Sequence, residues 1–394
     1  MPPDATPPSS SWPDLGAVDG VAAAGLYRIL DETGAVVDPE GVAAVDVAAV
    51  VAIWRTMVRV RTIDARMLAL QRQGRIGFYG AATGQEAAVV APAEALQARD
   101  WIHPALREGG MALHRGYPLD TYLAQCFGND ADTSTRGRQM PCHYGSRAHN
   151  YVTLSSVMTT QLPQAVGTAH AMALRHAGPD RPICFVAMGD GATSEGDFHV
   201  AMNFAGVLRP GGNGLPLVFF CQNNQWAIST PVSNQCAAPS LASKAASYGL
   251  VGVRVDGNDA LAVLRVMNDA AARVRVGGVP VFIEALTYRV GPHSTSDDPS
   301  RYRDEAVTDR WRQRDPLLRL ETWLHEAGHV GRDEMAAWQT RCEAEVRESL
   351  QRVERLGPPA LDSLFEDVWA TVPPHLELQR QHAHQSARNE DAVG

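Results

Sequence analysis

Four short, largely apolar runs dominate the middle of the chain, and each is followed by a polar segment. They are ICFVAM (183–188), LVFFCQ (217–222), GVRV (252–255) and VFIEAL (281–286). The runs lack the polar–apolar alternation of a strand with one wet face, and stretches of helical periodicity separate them. This pattern predicts parallel strands buried on both faces, and therefore an α/β protein with a doubly wound, mostly parallel sheet.

Helical patterns flank this region on both sides. Residues 43–73 predict a long helix that ends at the glycines of QRQGRIG, and TGQEAAVVAPAEAL predicts a second helix with Thr83 as its N-cap. QLPQAVGTAHAMALRH predicts a third, tightly packed helix because it is rich in alanine. Beyond YRDEAVTDRWRQRDP the chain turns helical and charged. We expect a flexible tail over 1–20, one α/β domain with C-terminal helices over 21–375, and a polar tail over 376–394.

Composition narrows the class of protein. The formal charge of −9 argues against a general nucleic-acid binder, because such proteins carry a basic patch. No apolar run approaches the roughly 18 residues that a membrane span requires. Lys244 is the only lysine among the 394 residues, so the chain contains no phosphate-binding loop that ends in Gly-Lys. We therefore expect a soluble enzyme that contacts neither nucleic acid nor a membrane.

The cysteines and the N-terminus suggest a compartment. The six cysteines are scattered without a C-x-x-C pair, which favours buried, reduced thiols over disulfides or zinc. The segment MPPDATPPSSSWPDLG has no arginine before Arg28, unlike a secretory signal or a mitochondrial presequence. On these grounds we expect a cytoplasmic protein of bacterial type.

An acidic residue lies between two glycines where the first apolar run ends, in FVAMGDGATSEGDF (185–198). Ligands of parallel α/β sheets bind beyond the carboxyl ends of the strands, so Asp190 stands at a ligand-binding edge. The helix expected from Thr193 or Ser194 would offer N–H groups to a diphosphate, which the carboxylate repels unless a divalent cation lies between them.

The second apolar run ends in a similar way. It is followed by NNQWAIST, so Asn223 and Asn224 leave the neighbouring strand at the same edge of the sheet. A lone Gly-Asp-Gly is most often a turn, and Asn-Asn after a strand is most often a polar loop. Their joint placement predicts a magnesium site that carries a diphosphate, since Mg²⁺ takes oxygen ligands from carboxylates, phosphates and water.

These motifs resemble those of a known family. GDGATSEGDF, NFA and LVFFCQNNQWAIST, in this order, resemble the motif of thiamine diphosphate-dependent enzymes. GRQMPCHYGS, SSVMTTQLPQAVGTAHA, VRVDGNDALAV, EALTYRVGPHSTSDDPSRYR and FEDVWATVP look like those of the α subunits of branched-chain 2-oxo acid dehydrogenases. The resemblance extends from about residue 45 to 375. It implies a thiamine diphosphate-binding fold with helical N- and C-terminal extensions, and it implies thiamine diphosphate and Mg²⁺ as cofactors.

The resemblance also implies site residues. The magnesium ligands would be Asp190, the side chain of Asn224 and the carbonyl of Trp226. The cofactor-binding residues would be Leu106, Arg107, Ser156, Met158, Gly191, Ala192, Gln222, Ile228 and His293. His293 would also be catalytic, handling a proton during acyl transfer. In some relatives a structural potassium ion occupies the positions that match Ser155, Val157, Thr160 and Gln161.

Two positions depart from the family pattern. Leu106 stands where relatives often carry an aromatic residue, and Gln222 stands where some carry arginine. These departures imply that some contacts to the diphosphate are weaker than in relatives or come from other residues. They also leave open a non-catalytic subunit of the same fold.

The activity implied by the resemblance is oxidative decarboxylation of a branched-chain 2-oxo acid, with transfer of the acyl group to a lipoyl carrier. In two-subunit relatives the glutamate that activates the cofactor lies on a β subunit. We therefore expect a heterotetramer of two α and two β chains that serves a lipoyl-bearing acyltransferase. Pyruvate and acetoin dehydrogenases share the same α-subunit framework, so these substrates stay open.

Two other enzyme classes are disfavoured. HEAGH (325–329) matches the H-E-x-x-H zinc pattern, but Gly328 and Gly331 predict that the helix ends there, which separates the two histidines. A dinucleotide-binding oxidoreductase would need G-x-G-x-x-G after a strand. GDGATSEG places its third glycine too far along the chain for that motif.

Overall fold

The computed structural model describes residues 25–176 and 178–391. Its helices are α1 (Pro39–Ala43), α2 (Val47–Arg72), α3 (Glu86–Glu94), α4 (Gly109–His114), α5 (Leu119–Phe127), α6 (Gln161–Arg175), α7 (Gly196–Val207), α8 (Ala260–Arg275), α9 (Glu305–Arg312), α10 (Pro316–Glu326), α11 (Arg332–Val353) and α12 (Pro374–Asp391). Its strands are β1 (Trp101–His103), β2 (Cys184–Gly189), β3 (Leu217–Asn223), β4 (Trp226–Ala227), β5 (Thr230–Pro231), β6 (Val251–Asp256) and β7 (Val281–Leu286).

Five strands form one parallel sheet in the order β1-β2-β3-β7-β6. The register pairs Gly189 at the end of β2 with Gln222 of β3, and Asn223 at the end of β3 with Leu286 of β7. Three neighbouring strands therefore end side by side. The segments that follow them leave from one edge of the sheet, which is the place where α/β folds bind ligands.

Alternate strand residues belong to two separate apolar clusters, one on each face of the sheet. Phe185 and Phe220 pack in the cluster that contains residues of α2, α3 and α8, whereas Val186 and Phe219 pack in the cluster that contains residues of α6 and α7. All four side chains are fully buried. Burial on both faces explains why these strands are continuous apolar runs, and it confirms the doubly wound α/β fold.

The predicted helices are present, with differences at their ends. The second helix begins at Glu86 and not after Thr83, because the Thr83 hydroxyl donates to Asp64 Oδ2 (2.9 Å) and does not cap the helix. The short edge strand β1 was not predicted, since three residues give too little periodicity. The polar segment after 376 carries α12, while the predicted tail over 1–20 lies outside the described residues. The domain boundaries stay a prediction.

Three smaller expectations concern the cysteines, membrane contact and zinc. All six cysteines are free thiols, and five of them are buried. Within residues 25–176 and 178–391, no helix has the length and apolar character to cross a bilayer.

The HEAGH motif does not continue as a helix. α10 ends at Glu326 and Gly328 has a φ of 72°, so HEAGH ends in a turn. His329 packs on Trp323 while His325 accepts from Arg332, and this separation argues against a zinc site.

Candidate active site

A cavity of about 470 Å³ opens where β2, β3 and β7 end. Most of the predicted site residues line this single cavity, and they are Leu106, Arg107, Ser155, Ser156, Met158, Gln161, Asp190, Gly191, Ala192, Gln222, Asn224, Trp226, Ile228 and His293. Val157 and Thr160 do not line it. The fold thus gathers segments that are far apart in sequence, because parallel strands deliver their following loops to one edge.

Asp190 begins the 3₁₀ turn that follows β2, and its carboxylate is 1% exposed. Burial raises the pKa of Asp190 to about 6, although hydrogen bonds and the charge of Arg289 act in the opposite direction. Its side-chain partner is Gln235 Nε2, at 3.4 Å from Oδ2. No lysine, arginine or histidine of the described chain forms an ion pair with Asp190, so a buried carboxylate faces the cavity without a counter-ion. Such a group is suited to a metal cation.

Two further oxygen atoms lie on the loop after β3. Asn224 Nδ2 donates to Gln85 Oε1 (3.0 Å), and Asn224 Oδ1 accepts from the Trp226 N–H (3.2 Å). The carbonyl oxygen of Trp226 accepts a long bond of 3.3 Å from Arg289 Nη1. Carboxylate, amide and carbonyl oxygens are the ligands that Mg²⁺ takes in proteins, so the donor set fits this ion. We refer to Asp190, Asn224 and Trp226 as the metal wall.

The backbone around the metal wall is held in unusual conformations. Gln225 and Ile228, on either side of Trp226, have φ values of 70° and 55°, and Thr159, which also lines the cavity, has a φ of 67°. Positive φ is costly for β-branched residues such as Ile228 and Thr159. At Gly191 a Cβ would lie 2.6 Å from the Cβ of Ala227, so glycine permits the close approach of the β2 and β3 loops. The metal wall is therefore a constrained assembly.

Two buried arginines also line the cavity. Arg107 Nη2 donates to the carbonyl of His293 (2.7 Å), and its Nη1 donates to the carbonyl of Ala81. Arg289 Nη2 donates to the carbonyl of Ile228 (2.6 Å). In the described chain neither guanidinium pairs with a carboxylate, and burial, with Arg289 as the next cause, lowers the pKa of Arg107 to about 10. These cationic groups fit an anionic ligand such as a diphosphate.

His293 lies on the loop beyond β7 and lines the cavity together with the arginines. Burial lowers the pKa of His293 to about 4, and the positive charges of Arg107 and Arg289 contribute to the decrease. The side chain is therefore neutral near pH 7. The main-chain N–H of His293 donates to Asp297 Oδ2 (2.7 Å), which fixes the loop at this point. We refer to Arg107, Arg289 and His293 as the arginine wall.

Only some residues of the segment 155–161 line the cavity. Gln161 Nε2 donates to the carbonyl of Ala187 (2.9 Å), which ties α6 to β2. Thr160 Oγ1 donates to the carbonyl of Val157 (2.9 Å), and the Val157 N–H donates to Ser155 Oγ (3.3 Å). These bonds close a turn in which the Val157 side chain is 68% exposed. The potassium site predicted here stays a prediction about this turn.

Two charged residues of the cavity were not predicted from the sequence. Arg289 lies in the quoted motif YRVGPH, but no spacing rule indicates that its guanidinium reaches back to the loop after β3. Glu108 follows Arg107 directly, a position that suggests an ion pair, yet Gln222 Nε2 donates to its carboxylate instead. Glu108 and Arg289 are 2% and 1% exposed. Both side chains became recognisable only when the fold brought distant segments together.

Comparisons with known proteins identify relatives of this chain. The model of the dehydrogenase E1 component family matches residues 54–361. The chain is 41% identical over 355 residues to 2-oxoisovalerate dehydrogenase subunit alpha 2, mitochondrial, of Arabidopsis thaliana, covering 90% of this chain and 73% of the relative. It is 40% identical over 363 residues to the mitochondrial subunit alpha of Caenorhabditis elegans, covering 92% and 82%. Identity to the human mitochondrial subunit alpha is 38% over 358 residues, covering 90% and 78%.

These relatives correct one expectation. All three are named as mitochondrial proteins, which contradicts the cytoplasmic, bacterial-type location inferred from the N-terminus. That inference depended on the scattered cysteines and on the composition of a short segment before Arg28, most of which lies outside the described residues. Composition of so short a stretch does not determine a compartment.

Proposed function

This chain belongs to the dehydrogenase E1 component family, and we propose that it is the α subunit of a thiamine diphosphate-dependent 2-oxo acid dehydrogenase acting on branched-chain 2-oxo acids of the 2-oxoisovalerate type. The observation that carries the proposal is the meeting of the metal wall and the arginine wall in one cavity. A magnesium diphosphate needs oxygen ligands on the metal side and N–H donors on the phosphate side, and the cavity offers both.

The residues of this chain would have distinct tasks. Asp190, Asn224 Oδ1 and the Trp226 carbonyl would hold Mg²⁺, while Gly191 and Ala192 present the main chain of the turn after β2 to the diphosphate. The other cofactor-binding residues are Leu106, Arg107, Ser156, Met158, Gln222, Ile228 and His293, all of which line the cavity. When bound, thiamine diphosphate supplies an electron sink for the electrons released as carbon dioxide leaves a 2-oxo acid.

His293 is the group of this chain placed to move a proton. Its neutral imidazole can accept a proton and return it, and a histidine held cationic could not accept one. Arg107 holds the carbonyl of His293 and so fixes the imidazole relative to the diphosphate side. Within the cavity, His293 is proposed to serve transfer of the acyl group to a lipoyl arm.

The subunit name of the relatives implies a partner. We propose a β subunit in an α2β2 heterotetramer, and a lipoyl-bearing acyltransferase that accepts the acyl group. The group that activates the cofactor would come from the β chain. Potassium at Ser155, Val157, Thr160 and Gln161 is proposed as a structural ion of the adjoining turn.

The test is decarboxylation by this chain mixed with its β subunit, thiamine diphosphate and Mg²⁺, with each subunit alone as a control. We expect turnover of 2-oxoisovalerate only by the mixture. Preference for pyruvate would leave the proposed reaction intact and contradict the assignment of a branched-chain substrate. An assembled pair that binds the cofactor in a Mg²⁺-dependent way but turns over no 2-oxo acid would contradict the activity, and failure to bind the cofactor would identify a non-catalytic subunit.

A further inference from the structure

Glu108 and Gln222 form a buried pair in the cavity. Gln222 Nε2 donates to Glu108 Oε1, and the Arg107 N–H donates to Glu108 Oε2 (3.1 Å). The residues are 2% and 4% exposed, and both line the cavity. The pair therefore lies where an anionic ligand of the arginine wall would meet it.

The carboxyl of Glu108 has neutral donors but no counter-ion. In the part of the chain that the structure describes, no guanidinium, ammonium or imidazole forms an ion pair with it. Burial raises the pKa of Glu108 to about 7, although hydrogen bonds to main-chain N–H groups and the charge of Arg107 lower it. An isolated buried carboxylate at this position is costly, and a neutral carboxylic acid is not.

The titratable groups that surround Glu108 are few. Arg107 precedes it, and the Tyr151 hydroxyl donates to its carbonyl (3.1 Å). The hydroxyls of Tyr122 and Tyr144 lie against the neighbouring Gly109. Asp190 and His293 line the same cavity, and the side chains that α2 and α3 place against Gly110 are valines. Arg289 also lines the cavity, but Arg107 is the positive charge whose proximity lowers the pKa of Glu108.

We propose that Glu108 and Gln222 hold the diphosphate of the cofactor as a neutral acid–amide pair, in place of a basic side chain at position 222. The proposal rests on the proposed function, since the ligand is the diphosphate. A glutamine amide has one donor end and one acceptor end. An ionised Glu108 accepts one of the two hydrogens of Gln222 Nε2, and its negative charge would repel a phosphate.

Protonation of Glu108 reverses this polarity. The acid O–H then donates to Gln222 Oε1, and both hydrogens of Nε2 become available to a phosphate oxygen. The amide thus offers both hydrogens to the ligand, without a negative charge beside it, only when Glu108 carries a proton. The proton comes from solvent as the cofactor binds, so charge is balanced by uptake of one proton in each site.

The pH dependence follows from this linkage. A diphosphate next to Glu108 raises the pKa of the carboxyl further, because a nearby negative charge disfavours ionisation. Below the pKa of the free site, cofactor affinity from this pair is constant. Above it, affinity falls by about tenfold for each pH unit until the raised pKa of the bound site is reached. Cofactor binding is therefore expected to weaken as the pH rises above about 7.

The experiment is calorimetric titration of the assembled α–β complex with thiamine diphosphate at saturating Mg²⁺. It is run from about pH 6.5 to 8.5 in two buffers of different ionisation enthalpy, with Glu108→Gln as the matched variant. The wild type should lose about tenfold in affinity and take up close to one proton more than the variant at about pH 8. Asp190, His293 and the cofactor titrate in both proteins, so their contributions cancel in the difference.

Two variants at position 222 test the pair from its other side. Gln222→Arg should keep Glu108 ionised by pairing with it, and so should abolish the extra proton uptake while retaining affinity at high pH. Gln222→Met should lower affinity at about pH 6.5 by roughly tenfold through loss of the donor to the phosphate. Thermal melting establishes whether each variant is folded. If Glu108→Gln is unfolded, Gln222→Arg replaces it as the variant with which the wild type is compared.

The outcomes separate this inference from the proposed function. Equal proton uptake by the wild type, Glu108→Gln and Gln222→Arg would overturn the acid–amide pair while leaving cofactor binding intact. Absence of cofactor binding by the wild-type complex at every pH would overturn the proposed function itself. A pH-dependent affinity that disappears in both variants would support the pair.

Discussion

The metal wall and the arginine wall line the same cavity and meet where Arg289 bonds the Trp226 carbonyl, yet they are built in different ways. Asp190 and Asn224 follow the ends of two adjacent strands, and their positions depend on short stretches of chain. Arg107 and His293 are joined by a bond across 186 positions of sequence. One wall presents oxygen atoms and the other presents N–H groups. A sheet edge can therefore bring oxygen atoms together through short stretches of chain, whereas the cationic side chains are assembled by tertiary contacts.

Removal of the metal-wall carboxylate should have the largest effect. Asp190→Asn removes the charged ligand from a site where the other oxygens are neutral, so Mg²⁺-dependent cofactor binding should weaken by more than about a hundredfold. The measurement is the cofactor dissociation constant of the assembled complex as a function of Mg²⁺ concentration.

The same substitution should leave the fold intact. Because Asp190 is buried without a counter-ion, an uncharged amide of the same shape should unfold at an equal or higher temperature without Mg²⁺. A variant that loses binding only because it unfolds would contradict this interpretation. So would a variant that binds Mg²⁺ and the cofactor normally, since another ligand would then hold the ion.

On the arginine wall, Arg289→Lys should have the next largest effect. The guanidinium contacts the carbonyls of Trp226 and Ile228 and the hydroxyl of Tyr302 (2.8 Å), and a lysine cannot make this fork of bonds. Arg289 is 1% exposed, so loss of these hydrogen bonds should lower the free energy of unfolding by about 2 kcal/mol and cofactor affinity by about tenfold or more.

Arg275→Lys is the matched control for this prediction. Arg275 is also buried and bonds Asp100 and the carbonyl of Arg181, remote from the cavity. The Arg275→Lys variant should unfold more easily than the wild type, while its cofactor affinity stays unchanged. Equal losses of affinity in the two variants would show that the effect comes from general destabilisation and not from the arginine wall.

The difference between the walls also explains what the sequence revealed. The ends of β2 and β3 could be predicted because both strands are buried on both faces and read as apolar runs, and polar residues directly after them were therefore visible. Arg289 follows β7 by three residues, but two of its partners lie on the hairpin β4–β5, whose strands have two residues each. Glu108 bonds Gln222 across 114 positions. Neither partner could be inferred from local periodicity, since tertiary packing selects it.

Resemblance compensated for part of this gap. Arg107 and His293 carried no periodic signal of their own, and they were predicted only by their position in matching motifs. The structure then placed both in the cavity. For Thr83 the local pattern was misleading, because an N-cap residue type was bonded to a buried aspartate instead of the helix. Residue types near a motif suggest which contacts a side chain could make, and the tertiary hydrogen bonds determine which contact it does make.

A smaller effect is expected from the loop that carries His293. The Tyr302 hydroxyl donates to Asp297 Oδ2 (2.6 Å) and accepts from Arg289 Nη2, so it links the loop to the arginine wall. Tyr302→Phe should lower cofactor affinity by roughly fivefold, the cost of a hydrogen bond of about 1 kcal/mol. Tyr248→Phe is the control, because that hydroxyl contacts His199 at the surface. Equal affinity of Tyr302→Phe and the wild type would show that the loop needs no such link.

The smallest effect concerns a support behind the metal wall. Lys244 Nζ donates to the carbonyl and the hydroxyl of Thr193 (2.9 and 3.1 Å), and the Thr193 hydroxyl donates to the carbonyl of Asp190 (2.9 Å). The ammonium also lies over the ring of Phe198, at 5.5 Å from its centroid. Lys244 is half-buried, so water shares its hydrogen bonds and weakens them.

Lys244→Met should therefore weaken Mg²⁺ binding by only about threefold, whereas Lys244→Arg should retain it, because an arginine can still donate to Thr193. The measurement is the Mg²⁺ concentration for half-maximal cofactor binding in the assembled complex. An unchanged value in Lys244→Met would mean that main-chain bonds alone hold the turn after β2. A loss as large as that of Asp190→Asn would mean that the metal wall depends on tertiary support as much as the arginine wall does, and the distinction between the walls would fail.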